Sequence, residues 1–155
     1  MKPTDQESSY RAIERLIATY AELVDDGDFA AVGRLLSDAT FTGSAGSVTG
    51  SDAIEKMLRD NAIVYDDGTP RTKHVTTNLA IELNEDEGRA ASRSYFTVLQ
   101  ALPDLPLQPI VSGRYFDRFE RRDGLWRFVE RRVQTDLVGD VSRHLRRSST
   151  DQRSV

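Results

Sequence analysis

The first third of the chain places apolar residues with the period of an α-helix. From Tyr10 onward they recur three and four positions apart, which predicts an amphipathic helix. The members of this apolar stripe are Ile13, Leu16, Ile17, Tyr20, Leu23 and Val24. The polar stretch DDGD ends the helix, with Gly27 available for a left-handed turn. Asp28 is predicted to be the N-cap of a short second helix, and Ser51 is predicted to cap a third helix. Between them, ATFTGSAGSVTG predicts a short hairpin.

Beyond Pro70 the period of the apolar residues changes to two, which is typical of β-strands. Four long strands are predicted: HVTTNLAIEL, GRAASRSYFTVLQAL, PIVSGRYFDRFERR and LWRFVERRVQTDLV. The stretches NEDEG and RRDG predict tight hairpin turns. The three prolines of PDLPLQP predict a longer, irregular connection. Helices followed by a long antiparallel meander indicate an α+β domain.

The two ends of the chain offer little that a core could bury. We expect residues 1–8 to be a flexible N-terminus, residues 9–139 to form the domain, and residues 140–155 to be a polar, basic and partly disordered tail. His144 lies in this tail and has no evident carboxylate partner, so we expect it to be exposed.

Composition narrows the classes of partner. A chain of 155 residues suits one domain with room for an internal pocket. The net charge of −4 argues against nucleic-acid binding. No apolar run approaches the roughly 18 residues that a membrane span needs. There is no cysteine and no apolar signal-peptide core, so a cytoplasmic location is the default expectation.

Motifs for a resident metal or cofactor are not found in the sequence. Only two histidines are present and they are far apart, so we expect no metal site. GSAGSVTG has glycine spacing but no lysine and no strand–helix context, and it indicates a turn rather than a phosphate loop. We therefore expect no cofactor.

Three segments give the chain a resemblance to a known family: IATYAELVDDGDFAAVGRLLSDATF, TKHVTTNLAIEL and SGRYFDRFERRDGLWRFVERRV. They resemble the SnoaL-like branch of the NTF2-like superfamily, over roughly residues 8–138. That branch includes scytalone dehydratase, bile acid 7α-dehydratase and hexachlorocyclohexane dehydrochlorinase. The resemblance implies a cone, in which a curved, mostly antiparallel sheet wraps around the N-terminal helices and encloses a pocket.

The resemblance also implies a catalytic pair. In the enzymatic members an aspartate and a histidine lie together inside the cone, and the matching residues here are Asp25 and His74. His74 would then move protons near neutral pH while Asp25 orients its ring. Taken alone, the residues leave a second interpretation open. A lone histidine at a strand start is often structural, and DDGD is also an ordinary helix terminator.

Four further residues are predicted to bind the substrate. The resemblance implies this role for Tyr20 and Arg131, the phenol by hydrogen bonding and the guanidinium by stabilising developing charge. Tyr95 and Tyr115 are expected to line the cavity, because buried hydroxyl groups need partners. Tyr20 could equally be a core aromatic, and Arg131 a solvated strand residue.

Three functions from different classes are compatible with these observations. The first is a cofactor-free lyase or isomerase of the dehydratase type, acting on a small apolar or aromatic ring compound. The second is a SnoaL-type polyketide cyclase, and the third is a non-catalytic ligand-binding or ring-dioxygenase-β-like interaction module. We also expect a homodimer or homotrimer, because three short helices can cover only one face of the sheet.

Overall fold

Within residues 5–146, which are the residues described by the computed structural model, three helices pack on one curved six-stranded sheet. The helices are α1 (Asp5–Asp25), α2 (Phe29–Leu35) and α3 (Ser51–Asn61). The strands are β1 (Thr40–Gly43), β2 (Gly46–Thr49), β3 (Thr72–Asn84), β4 (Arg89–Leu102), β5 (Leu105–Arg122) and β6 (Leu125–Val138). Their order is β2-β1-β6-β5-β4-β3, and all neighbours are antiparallel except β1 and β6.

The start of α1 lies further towards the N-terminus than predicted. The helix begins at Asp5, so residues 5–8 are helical although we expected them to precede the domain. Ser9 is buried, and its hydroxyl oxygen accepts a hydrogen bond of 3.0 Å from the indole N–H of Trp126. This contact joins the first turns of α1 to β6 and explains why the helix extends so far. Residues 1–4 lie outside the described residues.

The end of α1 has the left-handed glycine turn that DDGD predicts. Gly27 has a φ of 73°, and the Asp28 N–H donates to the Leu23 carbonyl oxygen at 3.0 Å. A Cβ on residue 27 would lie 2.2 Å from the carbonyl oxygen of Gly68, so only glycine fits this close approach. The helix end therefore packs on the loop before β3, and Asp25 lies beside the first residues of that strand.

The four predicted long strands are present, and one predicted connection is wrong. PDLPLQP is not an irregular loop, because β5 begins at Leu105 directly after a tight turn. Pro106 and Pro109 lie in the strand itself. The pairing of β5 with β6 begins only at Val111, so the first residues of β5 have β4 on one side and no strand on the other. A proline without an N–H group is tolerated at such an unpaired edge.

Irregular pairing curves the long strands into the expected cone. The register shifts once between β3 and β4, twice between β4 and β5, and twice between β5 and β6. At one of these positions Gly113 lies under the ring of Phe96, where a Cβ would approach that ring to 2.9 Å. The hairpin from β5 to β6 turns at Asp123 and Gly124, both with positive φ, as the Asp-Gly pair predicts.

The apolar core fills the concave side of the sheet beneath α1 and α2. Its most enclosed side chains come from both helices and from β4, β5 and β6, and include Ile13, Phe29, Val32, Val98, Ile110, Phe119 and Phe128. In the described part of the chain, no helix combines the length and the apolar character that crossing a bilayer would require.

The segment after β6 does not behave as the exposed tail that we expected from residue 140. Leu145 pairs with Ala62 in an isolated bridge, and the Ile63 N–H donates to the His144 carbonyl oxygen at 2.8 Å. His144 is therefore buried, with an exposed fraction of 7%, and its predicted exposure is wrong. The rest of the predicted tail, residues 147–155, lies outside the described residues.

Candidate active site

A cavity of about 220 Å³ lies between the concave face of the sheet and the helices. Most of its wall is apolar, and the polar side chains that line it are those of Tyr20, Asn61, His74, Tyr115, Thr135 and His144. Within residues 5–146, no three His, Cys, Asp or Glu side chains are grouped so that they could hold a metal ion. These side chains are the polar groups that a ligand in the cavity would meet.

Asp25 accepts hydrogen bonds from two residues at the start of β3. Its Oδ1 lies 2.6 Å from Nδ1 of His74 and accepts a bond of 2.8 Å from the Thr72 hydroxyl. Its Oδ2 accepts a bond of 2.7 Å from the backbone N–H of His74. Because a carboxylate can only accept, Nδ1 of His74 carries the proton, and Nε2 of the neutral ring is left as the acceptor.

The carboxyl group of Asp25 is held in its ionised form. Burial raises the pKa of Asp25, but the hydrogen bonds from His74 and Thr72 lower it by more, so the pKa lies below its ordinary value. The side chain is therefore ionised at neutral pH. Its negative charge, which lies against the ring of His74, stabilises the imidazolium that forms when the ring takes up a proton.

Local sequence explains why Asp25 and His74 meet. The Gly27 turn stops α1 directly after Asp25 and packs on the loop that leads into β3. Thr72 and His74 are two positions apart on β3, so both side chains lie on the same face of the strand. That face is the one next to the end of α1, and both side chains reach the same carboxylate.

Tyr20 and Tyr115 line the cavity, as we expected. Their rings meet edge to face with centroids 6.0 Å apart, and Tyr115 also stacks on Phe96 at 4.6 Å. Burial raises the pKa of Tyr20 and raises the pKa of Tyr115 well above its ordinary value. Both phenols are therefore protonated at neutral pH and can donate hydrogen bonds to an oxygen of a ligand.

Arg131 points inward but lies behind the tyrosines and does not line the cavity. Its side chain is completely buried and makes two hydrogen bonds of 2.8 Å to the carboxylate of Asp117. The guanidinium carbon lies 4.2 Å from the ring centroid of Tyr20 and 3.8 Å from that of Tyr115. We expected Arg131 to contact the substrate, and that contact stays a prediction. In this structure Arg131 supports the two tyrosine rings.

The inward direction of Arg131 depends on a bulge in β6. Phe128 and Trp126 face the core, and strict alternation would place Glu130 on the same side. However, Phe119 pairs with Phe128 while Arg118 pairs with Glu130, so β6 has one extra residue at this point. The extra residue shifts the alternation by one position and turns Arg131 inward.

The charge of Arg131 is retained in the core because of Asp117. Burial lowers the pKa of Arg131, but the adjacent Asp117 carboxylate raises it by more, and the net pKa lies above its ordinary value. Sequence reasoning missed Asp117. In β5, Asp117 lies two residues after Tyr115 and two before Phe119, so alternation along the strand places its side chain on the same, inward face.

Tyr95 does not line the cavity, which contradicts our expectation. Its exposed fraction is 48%, and its ring lies on the outer face of the sheet, 5.9 Å from the guanidinium carbon of Arg114. Its neighbour Phe96 faces inward, and side chains that follow each other in a strand point to opposite faces. The prediction rested on the hydroxyl group of Tyr95 and did not consider which face of the sheet alternation gives to residue 95.

His144 also lines the cavity, although it was not among the residues predicted from the sequence to do so. Its ring lies edge to face with that of His74, with centroids 6.3 Å apart. Burial, followed by the neighbouring charge of His74, lowers the pKa of His144 to about 4, and Asp25 acts weakly in the opposite direction. The ring is therefore neutral at neutral pH. The only sequence signal was the four-residue spacing of Val141 and Leu145 on either side of it.

Comparison with known proteins gives a family match and many structural neighbours. A family model described as a SnoaL-like domain matches residues 6–132. A search of curated proteins gives no significant match. A candidate scytalone dehydratase from Novosphingobium aromaticivorans is 25% identical, with a TM-score of 0.69, and the match covers 96% of each chain.

Two further structural neighbours are more distant in sequence. A hexachlorocyclohexane dehydrochlorinase from Novosphingobium barchaimii is 22% identical, with a TM-score of 0.68, over 86% of this chain and 90% of that one. An NTF2-like protein with a cystatin-like fold from Novosphingobium aromaticivorans is 19% identical, with a TM-score of 0.66, over 80% of this chain and 79% of that one. These likenesses confirm the predicted α+β cone.

Proposed function

Because the chain belongs to the SnoaL-like domain family, we propose that it is a cofactor-free lyase or isomerase of the dehydratase type. The proposed substrate is a compact, mostly apolar ring compound that carries one or two oxygens. His74 takes a proton from a carbon next to a carbonyl group, and Asp25 orients the ring and stabilises its charged form. The same two residues were assigned these roles from the sequence.

The observation that carries this proposal is the 2.6 Å hydrogen bond between Nδ1 of His74 and Oδ1 of Asp25 at the wall of an apolar cavity. The bond leaves Nε2 as the basic nitrogen of the neutral ring. The apolar wall lowers the local dielectric constant, which strengthens each electrostatic interaction in the cavity. A protein that only bound its ligand would need the cavity but would not need this bond.

The proposed reaction begins with proton transfer from carbon to His74. The electron pair of the broken C–H bond forms a C=C bond, and the carbonyl π electrons move to oxygen. The phenols of Tyr20 and Tyr115 donate hydrogen bonds to oxygens of the ligand. The electrons on oxygen then re-form the C=O bond. In an unsaturated ketone the C=C electrons shift along the conjugated system and take the proton from His74 at the γ carbon, which moves the double bond. In a β-hydroxy ketone they form the new C=C bond and break the C–O bond, and the departing hydroxyl group takes the proton from His74 and leaves as water.

The size of the cavity favours a small substrate. Pockets for drug-sized ligands typically measure about 300–1,000 Å³. The cavity of about 220 Å³ is smaller, which suits one or two fused rings. A polyketide cyclase has to enclose a long folded chain, so we favour the dehydratase-type reaction over the cyclase reaction.

Deuterium exchange on a simple carbon acid tests this proposal. Indan-2-one has acidic C–H groups next to its carbonyl and fits the proposed class of ligand. In D₂O, we expect the protein to accelerate the exchange of these protons with saturation kinetics, measured by proton NMR. The hydrocarbon indane, which lacks the oxygen, should compete for the same cavity. Exchange that does not exceed the buffer rate would contradict the proposed function.

We also propose that the protein is a homodimer or homotrimer assembled through the outer face of the sheet. Val75 and Tyr95 are exposed on this face, with exposed fractions of 41% and 48%. The helices cover only the concave face, so these apolar groups have no cover within the described chain. Light scattering at micromolar concentration is expected to give two or three times the mass of the chain. A monomer mass would refute this assembly.

A further inference from the structure

The segment that follows β6 holds His144 in a fixed position. The Ile63 N–H donates to the His144 carbonyl oxygen at 2.8 Å, and the Arg146 N–H donates to the Asn61 carbonyl oxygen at 2.8 Å. The amide of Gln100 donates to the carbonyl oxygen of Arg143 at 3.0 Å. Backbone bonds on both sides therefore hold this residue against the end of α3, and its ring is directed to the cavity wall.

Among the described residues, the imidazole of His144 has no hydrogen-bond partner. The side chain is more than nine-tenths buried, and its Nδ1 atom makes no hydrogen bond with the described residues. A buried polar atom without a partner is destabilising, and native structures contain few of them. Nδ1 is enclosed by protein atoms, so a ligand in the cavity that this ring shares with His74 would accept its hydrogen bond from Nε2–H.

We propose that His144 donates a hydrogen bond from its neutral ring to the carbonyl oxygen of the substrate. That oxygen is next to the carbon from which His74 takes the proton. As the C–H bond breaks, negative charge moves to the oxygen, and the N–H group of His144 stabilises it there. The identity of the reacting carbon rests on the proposed function.

The geometry of the two histidines supports this division of roles. Their ring centroids are 6.3 Å apart, edge to face, so the two rings can contact neighbouring atoms of one ligand. His74 has the Asp25 carboxylate on its Nδ1 and acts as the base. Within residues 5–146, no carboxylate makes a hydrogen bond with His144, and burial lowers its pKa to about 4. A neutral ring can donate a hydrogen bond without adding a second positive charge beside the protonated His74.

The test uses three variants of the full chain and the exchange of indan-2-one protons. His144→Phe keeps a ring of similar shape but removes the N–H group, and we expect kcat to fall on the order of a hundredfold. His144→Gln keeps an N–H donor and should recover part of the rate. Ser142→Ala alters an exposed residue of the same segment and should behave as wild type.

Binding separates a chemical role of His144 from a structural one. If the ring binds the oxygen, His144→Phe should weaken the binding of indan-2-one about tenfold and leave the binding of indane unchanged. A structural role would weaken the binding of both compounds, or lower the melting temperature. In wild type, indan-2-one should also shift the imidazole nitrogen resonances of His144, and indane should not. This last measurement decides the matter even if the variants do not fold.

Failure of the proposed function and failure of the His144 proposal would give different results. If the wild type gives no exchange, the proposed function fails, and the binding comparison still tests the hydrogen bond. If His74→Gln abolishes exchange while folded His144→Phe keeps both the wild-type kcat and the wild-type preference for the ketone, the proposal for His144 is overturned.

Discussion

Replacing His74 with glutamine is expected to reduce the exchange of indan-2-one protons to the rate in buffer, while the protein stays folded. Glutamine has a similar length, and its amide can still donate to Asp25, but it offers no nitrogen that takes up a proton near neutral pH. NMR measures the exchange rate, and a melting curve on the same sample reports the fold. Lys73→Gln is the matched control, because it introduces the same side chain at the exposed neighbouring position of β3.

The variants of Asp25 extend this prediction. Asp25→Asn removes the charge that stabilises the imidazolium and is expected to lower the rate on the order of a hundredfold or more. Asparagine also places an amide donor where Asp25 accepts from Thr72 and His74, so the melting temperature should fall as well. Rates therefore refer to the folded fraction. The double variant should be hardly slower than His74→Gln alone, because the two residues act as a unit.

One result would refute the pair as the catalytic centre. If folded His74→Gln exchanged protons at the wild-type rate, the hydrogen bond between Asp25 and His74 would be only a structural link between α1 and β3.

Asp117→Asn is expected to lower the free energy of unfolding by about 3–5 kcal/mol, because it leaves the buried Arg131 charge without its counterion. Both side chains are completely buried, and both hydrogen bonds between them measure 2.8 Å. Urea unfolding followed by Trp126 fluorescence measures the change. Asp60→Asn is the control, because it removes an exposed ion pair on α3 and should change the stability little.

A double variant separates the charge from the shape of this ion pair. Arg131→Met combined with Asp117→Leu removes both charges and keeps apolar bulk, so it should be more stable than Asp117→Asn alone. If Asp117→Asn lost less than about 1 kcal/mol, the Arg131 charge would have another way of being satisfied, contrary to the geometry described above.

Much of the fold could be predicted because it depends on local periodicity. The change of period from helical to two after Pro70 placed the helices and the long strands correctly, and DDGD and Asp123-Gly124 marked their turns. The positions of Asp25 and His74 came from the family resemblance. Their contact depends on α1 ending beside β3, and no local pattern in the sequence shows that these two elements lie side by side.

Most of the differences from the predictions depended on non-local features. Arg131 lies behind the tyrosines because its guanidinium pairs with Asp117 on the neighbouring strand. The prolines of PDLPLQP fit a strand because its other edge is unpaired. His144 is buried because the chain after β6 returns across the cavity. Tyr95 is the exception, since counting from Phe96 along the strand would have placed it outside.

The attachment of residues 139–146 has an evolutionary consequence. The SnoaL-like domain match ends at residue 132, so residues 139–146 lie outside the matched range. Two of its hydrogen bonds, at the carbonyl oxygen of His144 and the N–H of Arg146, are made by backbone groups and do not depend on the side chains at 144 and 145. Substitutions at 144 and 145 can therefore accumulate while the cone and the Asp25–His74 pair are preserved. Changes at these two positions are thus expected to alter the cavity wall of this protein without disturbing its fold.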